Sequence, residues 1–208
     1  MANLVVGGSG KHIGKTTLVC AIIAALPEYQ WVAVKFTTHN HGLADAEIAE
    51  LQGKKRGDRE AKTVSLRKDN IREEIAAGQG TDTARYLAAG AARAFLVAAP
   101  ASAFSAALTE IQTMLDPNVN LIIESNRILA SIEPDICLAL HSGVAEPKPS
   151  FRITKHRADA WVVGAAAAAW MPSREVPAVP VFRLPDLAHI PDPMLAWLRE
   201  RLRLASCS

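Results

Sequence analysis

The sequence predicts an α/β fold in which a mostly parallel sheet of about seven strands lies between two layers of helices. Short, nearly continuous apolar runs recur along the chain, which is typical of parallel strands buried on both faces. Helical patterns separate several of these runs, and this alternation favours a three-layer arrangement with right-handed crossovers. The apolar runs are residues 3–6, 31–37, 93–99, 120–125, 135–140, 159–164 and 179–184, and the helical patterns cover 15–26, 82–90, 101–115 and 192–204.

A glycine-rich turn, GGSGKHIGKTT (7–17), joins the first apolar run to the first helical pattern. Its spacing matches the phosphate-binding loop G-x-x-x-x-G-K-[ST], except that Ser9 replaces the first glycine. In such a loop, backbone N–H groups and the helix N-terminus surround phosphate groups. Lys15 is expected to reach the β- and γ-phosphates, and the Thr16 hydroxyl to ligate Mg²⁺. The predicted nucleotide-binding residues are Ser9, Gly10, Lys11, His12, Gly14, Lys15, Thr16 and Thr17.

Polar residues at the ends of other apolar runs extend this site. Glu124 closes the run NLIIES (120–125), where a carboxylate is expected to help hold Mg²⁺ or to polarise an attacking water. Lys35 lies inside an apolar run, which is costly unless the ammonium is paired, so we place it in the site. Asp82 opens a helical pattern and has two interpretations, a site carboxylate and a helix N-cap. Ser125 and Asn126 follow Glu124 and are candidates for positioning water or an acceptor.

Two segments between the apolar runs carry charge or metal-ligand residues. His39 and His41 stand two apart, and such a pair has three interpretations: transition-metal ligands, polar active-site residues or plain loop residues. Residues 42–79 are polar and charged without strand periodicity, which predicts a long functional or mobile loop.

Composition excludes several classes of protein. A chain of 208 residues is expected to form one domain, 1–208, and a net charge of +2 provides no field for nucleic acid. No apolar stretch has the length needed to span a bilayer, and the chain begins with a core strand rather than a signal peptide. The three cysteines share no disulfide or metal-ligand spacing. We therefore expect a cytoplasmic protein with no nucleic-acid or membrane partner.

Four stretches in this order resemble the molybdopterin-guanine dinucleotide biosynthesis protein B (MobB) family: GSGKHIGKTTL, VAVKFTTHNH, GTDTARYLAAGAARAFLVA and NLIIESN. The resemblance covers residues 3–140 and implies a P-loop NTPase of the SIMIBI class, with Lys15, Lys35, Asp82 and Glu124 as catalytic residues. It also implies slow, Mg²⁺-dependent GTP hydrolysis, a homodimer, and a partner enzyme that handles molybdopterin. One departure is Ser125, which stands where that family has glycine.

Two alternatives come from other classes of function. The first is an ATP-dependent ligase or kinase resembling dethiobiotin synthetase, in which Lys35 and Lys11 hold an acidic acceptor. The second is a nickel- or zinc-delivery GTPase that uses His39 and His41. The sequence has no N-K-x-D motif for guanine, so GTP and ATP both remain open.

Overall fold

The computed structural model describes residues 2–38, 70–143, 147–173 and 178–205. Within these ranges, a single sheet has the strand order β3-β4-β2-β5-β1-β6-β7-β8. Every neighbouring pair is parallel except β3 and β4, which are antiparallel. The predicted α/β fold with a mostly parallel sheet is confirmed. The strands are β1 (Asn3–Gly8), β2 (Val32–Thr37), β3 (Ile71–Glu74), β4 (Arg93–Ala98), β5 (Leu121–Glu124), β6 (Ile136–His141), β7 (Ala160–Gly164) and β8 (Val181–Leu184).

Helices cover both faces of this sheet because successive strand residues point to opposite sides. Leu4 and Val6 pack with the helices at 15–25, 82–88 and 192–205, whereas Val5 between them packs with the helix at 104–113. The two apolar cores that result give the three layers expected from the sequence. No helix in the described part of the chain is long and apolar enough to cross a membrane. The helices are α1 (Lys15–Ala25), α2 (Asp82–Ala88), α3 (Phe104–Thr113), α4 (Phe151–Arg157) and α5 (Asp192–Ala205).

Two elements of the fold were not predicted. Strand β3 lies inside the segment 42–79, which was expected to be a loop throughout; residues 42–69 lie outside the described ranges. This strand is a polar edge strand, and an ion pair between Glu73 and Arg93 (2.6 Å) ties it to β4. Helix α4 spans seven residues, too short a segment to give a clear apolar period.

The strand order places the carboxyl end of β1 at the centre of the sheet edge. The chain leaves β1 through α1 and returns in β2, passing over β5, which lies between them. In open α/β sheets, ligands bind outside the carboxyl ends of the strands, at the point where the strand order reverses. The glycine-rich loop between β1 and α1 lies at this position.

Packing of α5 on the sheet provides a test of the fold. Leu198 is fully buried in the core that also contains Leu18 and Ile22 of α1. We expect Leu198→Ala to lower the free energy of unfolding by about 2–5 kcal/mol, because the truncated side chain leaves a cavity. In the control Leu204→Ala, the side chain is 55% exposed, and the change should stay within about 0.5 kcal/mol. Urea denaturation measures both, and equal losses would contradict the docking of α5.

Candidate phosphate-binding site

The loop between β1 and α1 presents a continuous run of unpaired backbone donors. No acceptor in the described ranges bonds the N–H groups from Gly10 to Thr17, and no side chain caps α1. His12 (φ 55°) and Gly14 (φ 93°) both adopt the left-handed backbone conformation. Backbone that alternates in this way forms concave anion-binding surfaces, and the N-terminus of α1 adds positive charge. The positive φ of Gly14 would strain any other residue, and a Cβ there would also lie 2.4 Å from Leu187 Cδ1, which would have to move.

The structure explains why serine can replace glycine at position 9. The Ser9 N–H donates to Leu140 O (2.9 Å), and its carbonyl accepts from the Lys148 N–H (2.9 Å). Its φ is not positive, so the backbone accepts a Cβ without strain. The Ser9 hydroxyl is buried and bonds no described residue.

Lys15 extends over the loop and is held by a single contact. Its Nζ donates to Gly10 O (2.9 Å), which uses one of the three ammonium donors. Burial lowers the pKa of Lys15; Glu124 opposes this shift, and Lys148 and Lys35 add to it. No described carboxylate lies within ion-pair distance of this ammonium. An anion bound in the loop would therefore find both charge and hydrogen-bond donors available.

Glu124, at the end of β5, is a buried carboxylate with several donors around it. Its side chain is 6% exposed. The Oε2 atom accepts from Thr16 Oγ1 (2.8 Å) and from the hydroxyl of the buried Tyr86 (2.5 Å). The Nζ of Lys35 lies 3.5 Å from Oε1. Burying a carboxylate is costly unless it is paired and hydrogen-bonded, and here it is both.

Lys35 and Asp82 form an ion pair beside Glu124. Burial would lower the pKa of Lys35, but the charges of Glu124 and Asp82 outweigh it, and the pKa is raised above 10.5. Burial would raise the pKa of Asp82, but the hydrogen bond and charge of Lys35 outweigh it, and the pKa falls below 3.8. The N-cap interpretation of Asp82 is wrong, because Thr81 Oγ1 accepts from the Ala84 N–H (3.0 Å) and caps α2.

Residues that follow in α2 join this cluster to the phosphate-binding loop. Arg85 donates through Nη2 to Thr17 Oγ1 (3.2 Å), and its Nη1 lies 3.8 Å from Asp82 Oδ1. Arg85 thus ties α2 to the first turn of α1, whereas Tyr86 ties α2 to Glu124 at the end of β5. The sequence pattern identified the start of this helix but not the contacts of Arg85 and Tyr86, which depend on how α1 and α2 pack.

Among the described residues, positive charge exceeds negative charge around the loop. Lys148, from the loop before α4, has its pKa lowered by burial and then by Lys11 and Arg127. None of these three side chains forms an ion pair within the described ranges. Nothing in the sequence distinguished Lys148 from a solvated lysine, because its position depends on the bond from its backbone to Ser9. The cations are Lys11, Lys15, Lys35, Arg85, Arg127 and Lys148, and the carboxylates are Asp82 and Glu124.

The oxygen atoms at the start of α1 and the end of β5 fit a magnesium ion. Thr16 and Glu124 supply a hydroxyl and a carboxylate 2.8 Å apart, and Mg²⁺ prefers such hard oxygen ligands beside phosphate. No group of three or more His, Cys, Asp or Glu side chains suited to a metal occurs in the described ranges. His39 and His41 lie outside those ranges, and their roles stay predictions.

The Lys35–Asp82 pair makes stability depend on pH. Because the pKa of Asp82 is lowered by folding, its contribution is present above 3.8 and is lost as pH falls through the folded value. The raised pKa of Lys35 gives a contribution that is present below 10.5 and is lost at higher pH. Between about pH 4 and pH 2, we expect the free energy of unfolding of Lys35→Met to fall less steeply with pH than that of the wild type. Urea titrations test this with Lys155→Met as control; parallel wild-type and Lys35→Met curves would contradict the pairing.

Comparisons with known proteins identify no family for this chain. No protein-family model matches the chain, and no curated protein matches it. Among solved structures, that of "apo" form LpxK from Aquifex aeolicus in complex with ATP matches 88% of this chain, at 15% identity and a TM-score of 0.46. The chain spans about half, 53%, of the length of that LpxK chain. A likeness of this degree indicates no shared activity, and the resemblance to the MobB family stays a prediction.

Proposed function

We propose that this protein binds a nucleoside triphosphate with Mg²⁺ and hydrolyses it slowly. The observation that carries the proposal is the run of backbone N–H groups from Gly10 to Thr17 that bond no acceptor among the described residues, beside the half-buried side chain of Lys15. Unpaired backbone donors at a helix N-terminus bind anions strongly. The surplus of cations around the loop supports a ligand with several negative charges rather than a single carboxylate or phosphate.

In this proposal each residue has a distinct role. The loop N–H groups and Lys15 hold the phosphate chain, replacing the bond from Lys15 to Gly10. Thr16 and Glu124 hold the magnesium ion, which neutralises developing phosphate charge when it is bound. Glu124 also orients water, and the ammonium of Lys35, 3.5 Å from its Oε1 atom, lies beside it. Asp82 fixes Lys35 and does not contact the phosphate.

The nucleotide base and the biological partner are further parts of the proposal. The resemblance to the MobB family supports GTP as the nucleotide, a homodimer, and an accessory role with a molybdopterin-handling enzyme. One observation favours a second candidate, an ATP-dependent ligase or kinase. Lys11, Arg127 and Lys148 add charge beyond what Lys15 and the backbone supply, and an acidic acceptor could use it.

Lys15→Ala tests the phosphate-binding role. Losing this ammonium should weaken binding of the Mg²⁺-nucleotide at least about 100-fold, since a charge-assisted contact to phosphate is removed. The thermal midpoint should change little, because the side chain donates one hydrogen bond to the described part of the protein. Lys155→Ala, on the last turn of α4, is the matched control. Calorimetry measures the affinity of both variants for the Mg²⁺-nucleotide. An unchanged affinity in Lys15→Ala would exclude the proposed site.

A titration with non-hydrolysable ATP and GTP analogues, each with Mg²⁺, separates the two candidates. We expect a preference for the GTP analogue of about tenfold or more if the resemblance to the MobB family extends to function. A preference for the ATP analogue would instead favour the acceptor-dependent ligase or kinase. Calorimetry with both analogues at one salt concentration gives the ratio, and absence of heat with either would contradict nucleotide binding itself.

A further inference from the structure

The side chain of Asn126 bonds both backbone groups of Gly8, the last residue of β1. Its Oδ1 accepts from the Gly8 N–H (2.7 Å), and its Nδ2 donates to Gly8 O (3.0 Å). A primary amide carries one acceptor and donors in one plane, as a peptide unit does. The phosphate-binding loop therefore begins at a residue that a distant side chain, 118 positions away, holds at both ends.

This amide takes the place of the next peptide of β5. Main-chain pairing of β1 with β5 ends at Val6 and Glu124, followed by a bond from the Ser125 N–H to Val6 O (3.2 Å). Beyond this point the chain turns into the 3₁₀ helix Arg127–Ala130, which the Ser125 hydroxyl caps by accepting from the Arg127 N–H (3.1 Å). Main-chain pairing between β1 and β5 thus ends before Gly8. The side chain of Asn126 extends this pairing to Gly8.

Contacts with α4 fix the orientation of the amide. The buried Thr154 donates its hydroxyl to Asn126 Oδ1 (2.9 Å), and the Ser150 hydroxyl lies 3.4 Å from Nδ2. The close approach also requires glycine at position 7, where a Cβ would lie 2.5 Å from both Asn126 Oδ1 and Thr154. The amide is thus held on every side that is not bonded to Gly8.

We infer that Asn126 is a positioning residue, which fixes the start of the phosphate-binding loop relative to the carboxylate of Glu124. The inference rests on the proposed function for its consequence in nucleotide binding. Asn126 and Glu124 are two residues apart at the end of one strand, so the bonds to Gly8 couple the loop and the acid rigidly. Asn126 itself does not contact the phosphate-binding groups of Lys15 or Thr16.

The chain offers a matched control at the other end of β5. Asn120 Oδ1 accepts from the Ala2 N–H (2.9 Å), and its Nδ2 donates to Tyr29 O (2.9 Å). This amide makes the same kind of paired bond to backbone, but at the amino edge of the sheet, away from the loop. Removing it tests what the loss of such an amide does to stability alone.

Asn126→Ala and Asn120→Ala are compared by thermal unfolding, binding of the better Mg²⁺-nucleotide analogue, and NMR-detected amide exchange at Ser9. We expect both variants to lower the thermal midpoint by about 2–4 °C. Asn126→Ala should weaken nucleotide binding about tenfold and speed exchange at Ser9, whose bond to Leu140 the mutation does not touch directly. Asn120→Ala should leave both quantities within about twofold.

Asn126→Asp keeps the acceptor for Gly8 but loses the donor to its carbonyl, and it should give intermediate effects if Asn126→Ala folds poorly. Equal exchange at Ser9 in wild type, Asn126→Asp and Asn126→Ala would overturn the positioning role. A wild-type chain that binds neither nucleotide would overturn the proposed function instead, and the exchange rates would still decide the role of Asn126.

Discussion

The buried carboxylate of Glu124 is the constraint on which the arrangement of the site depends. It lies at the end of a central strand, and leaving it without partners there would cost several kcal/mol. Its donors come from three different elements: Thr16 from α1, Lys35 from β2 and Tyr86 from α2. Apolar packing places these elements on the sheet, but the need to satisfy one charge determines which of their residues face each other.

Hydrogen bonds divide the site into a satisfied half and an unsatisfied half. On the side of β2 and α2, the acids Glu124 and Asp82 are matched by Lys35 and by hydroxyl donors. On the side of the loop, Lys15 donates one hydrogen bond, and no acceptor in the described part of the chain bonds the backbone N–H groups from Gly10 to Thr17. Backbone donors gathered in a concave loop at a helix N-terminus are suited to binding an anion. This asymmetry is the physical basis for assigning the loop side to an anionic ligand.

Local sequence patterns predicted the parts of the fold that have a local cause. The parallel strands follow from apolar runs, and the phosphate-binding loop follows from glycine and lysine spacing. Strand β3 was not predicted, because its sequence, IREE, lacks an apolar run and the strand is held at the sheet edge by the ion pair of Glu73 with Arg93. The hydrogen bonds of Asn126 with Gly8 were not predicted for a different reason, because they join residues that are 118 positions apart. Such contacts depend on strand order, which no local pattern contains.

Strand pairing also accounts for the one departure of the loop from its expected pattern. On the side of β6, main-chain pairing continues through Gly8 and Leu140, and the Ser9 N–H adds a further bond to Leu140. On the side of β5, the amide of Asn126 extends the pairing to Gly8. The strand ends at Gly8, and Ser9 directly after it is held by backbone bonds to Leu140 and Lys148. Its φ is not positive, so a Cβ is tolerated there. The left-handed conformations that favour glycine begin only beyond it, and Gly14 meets that need.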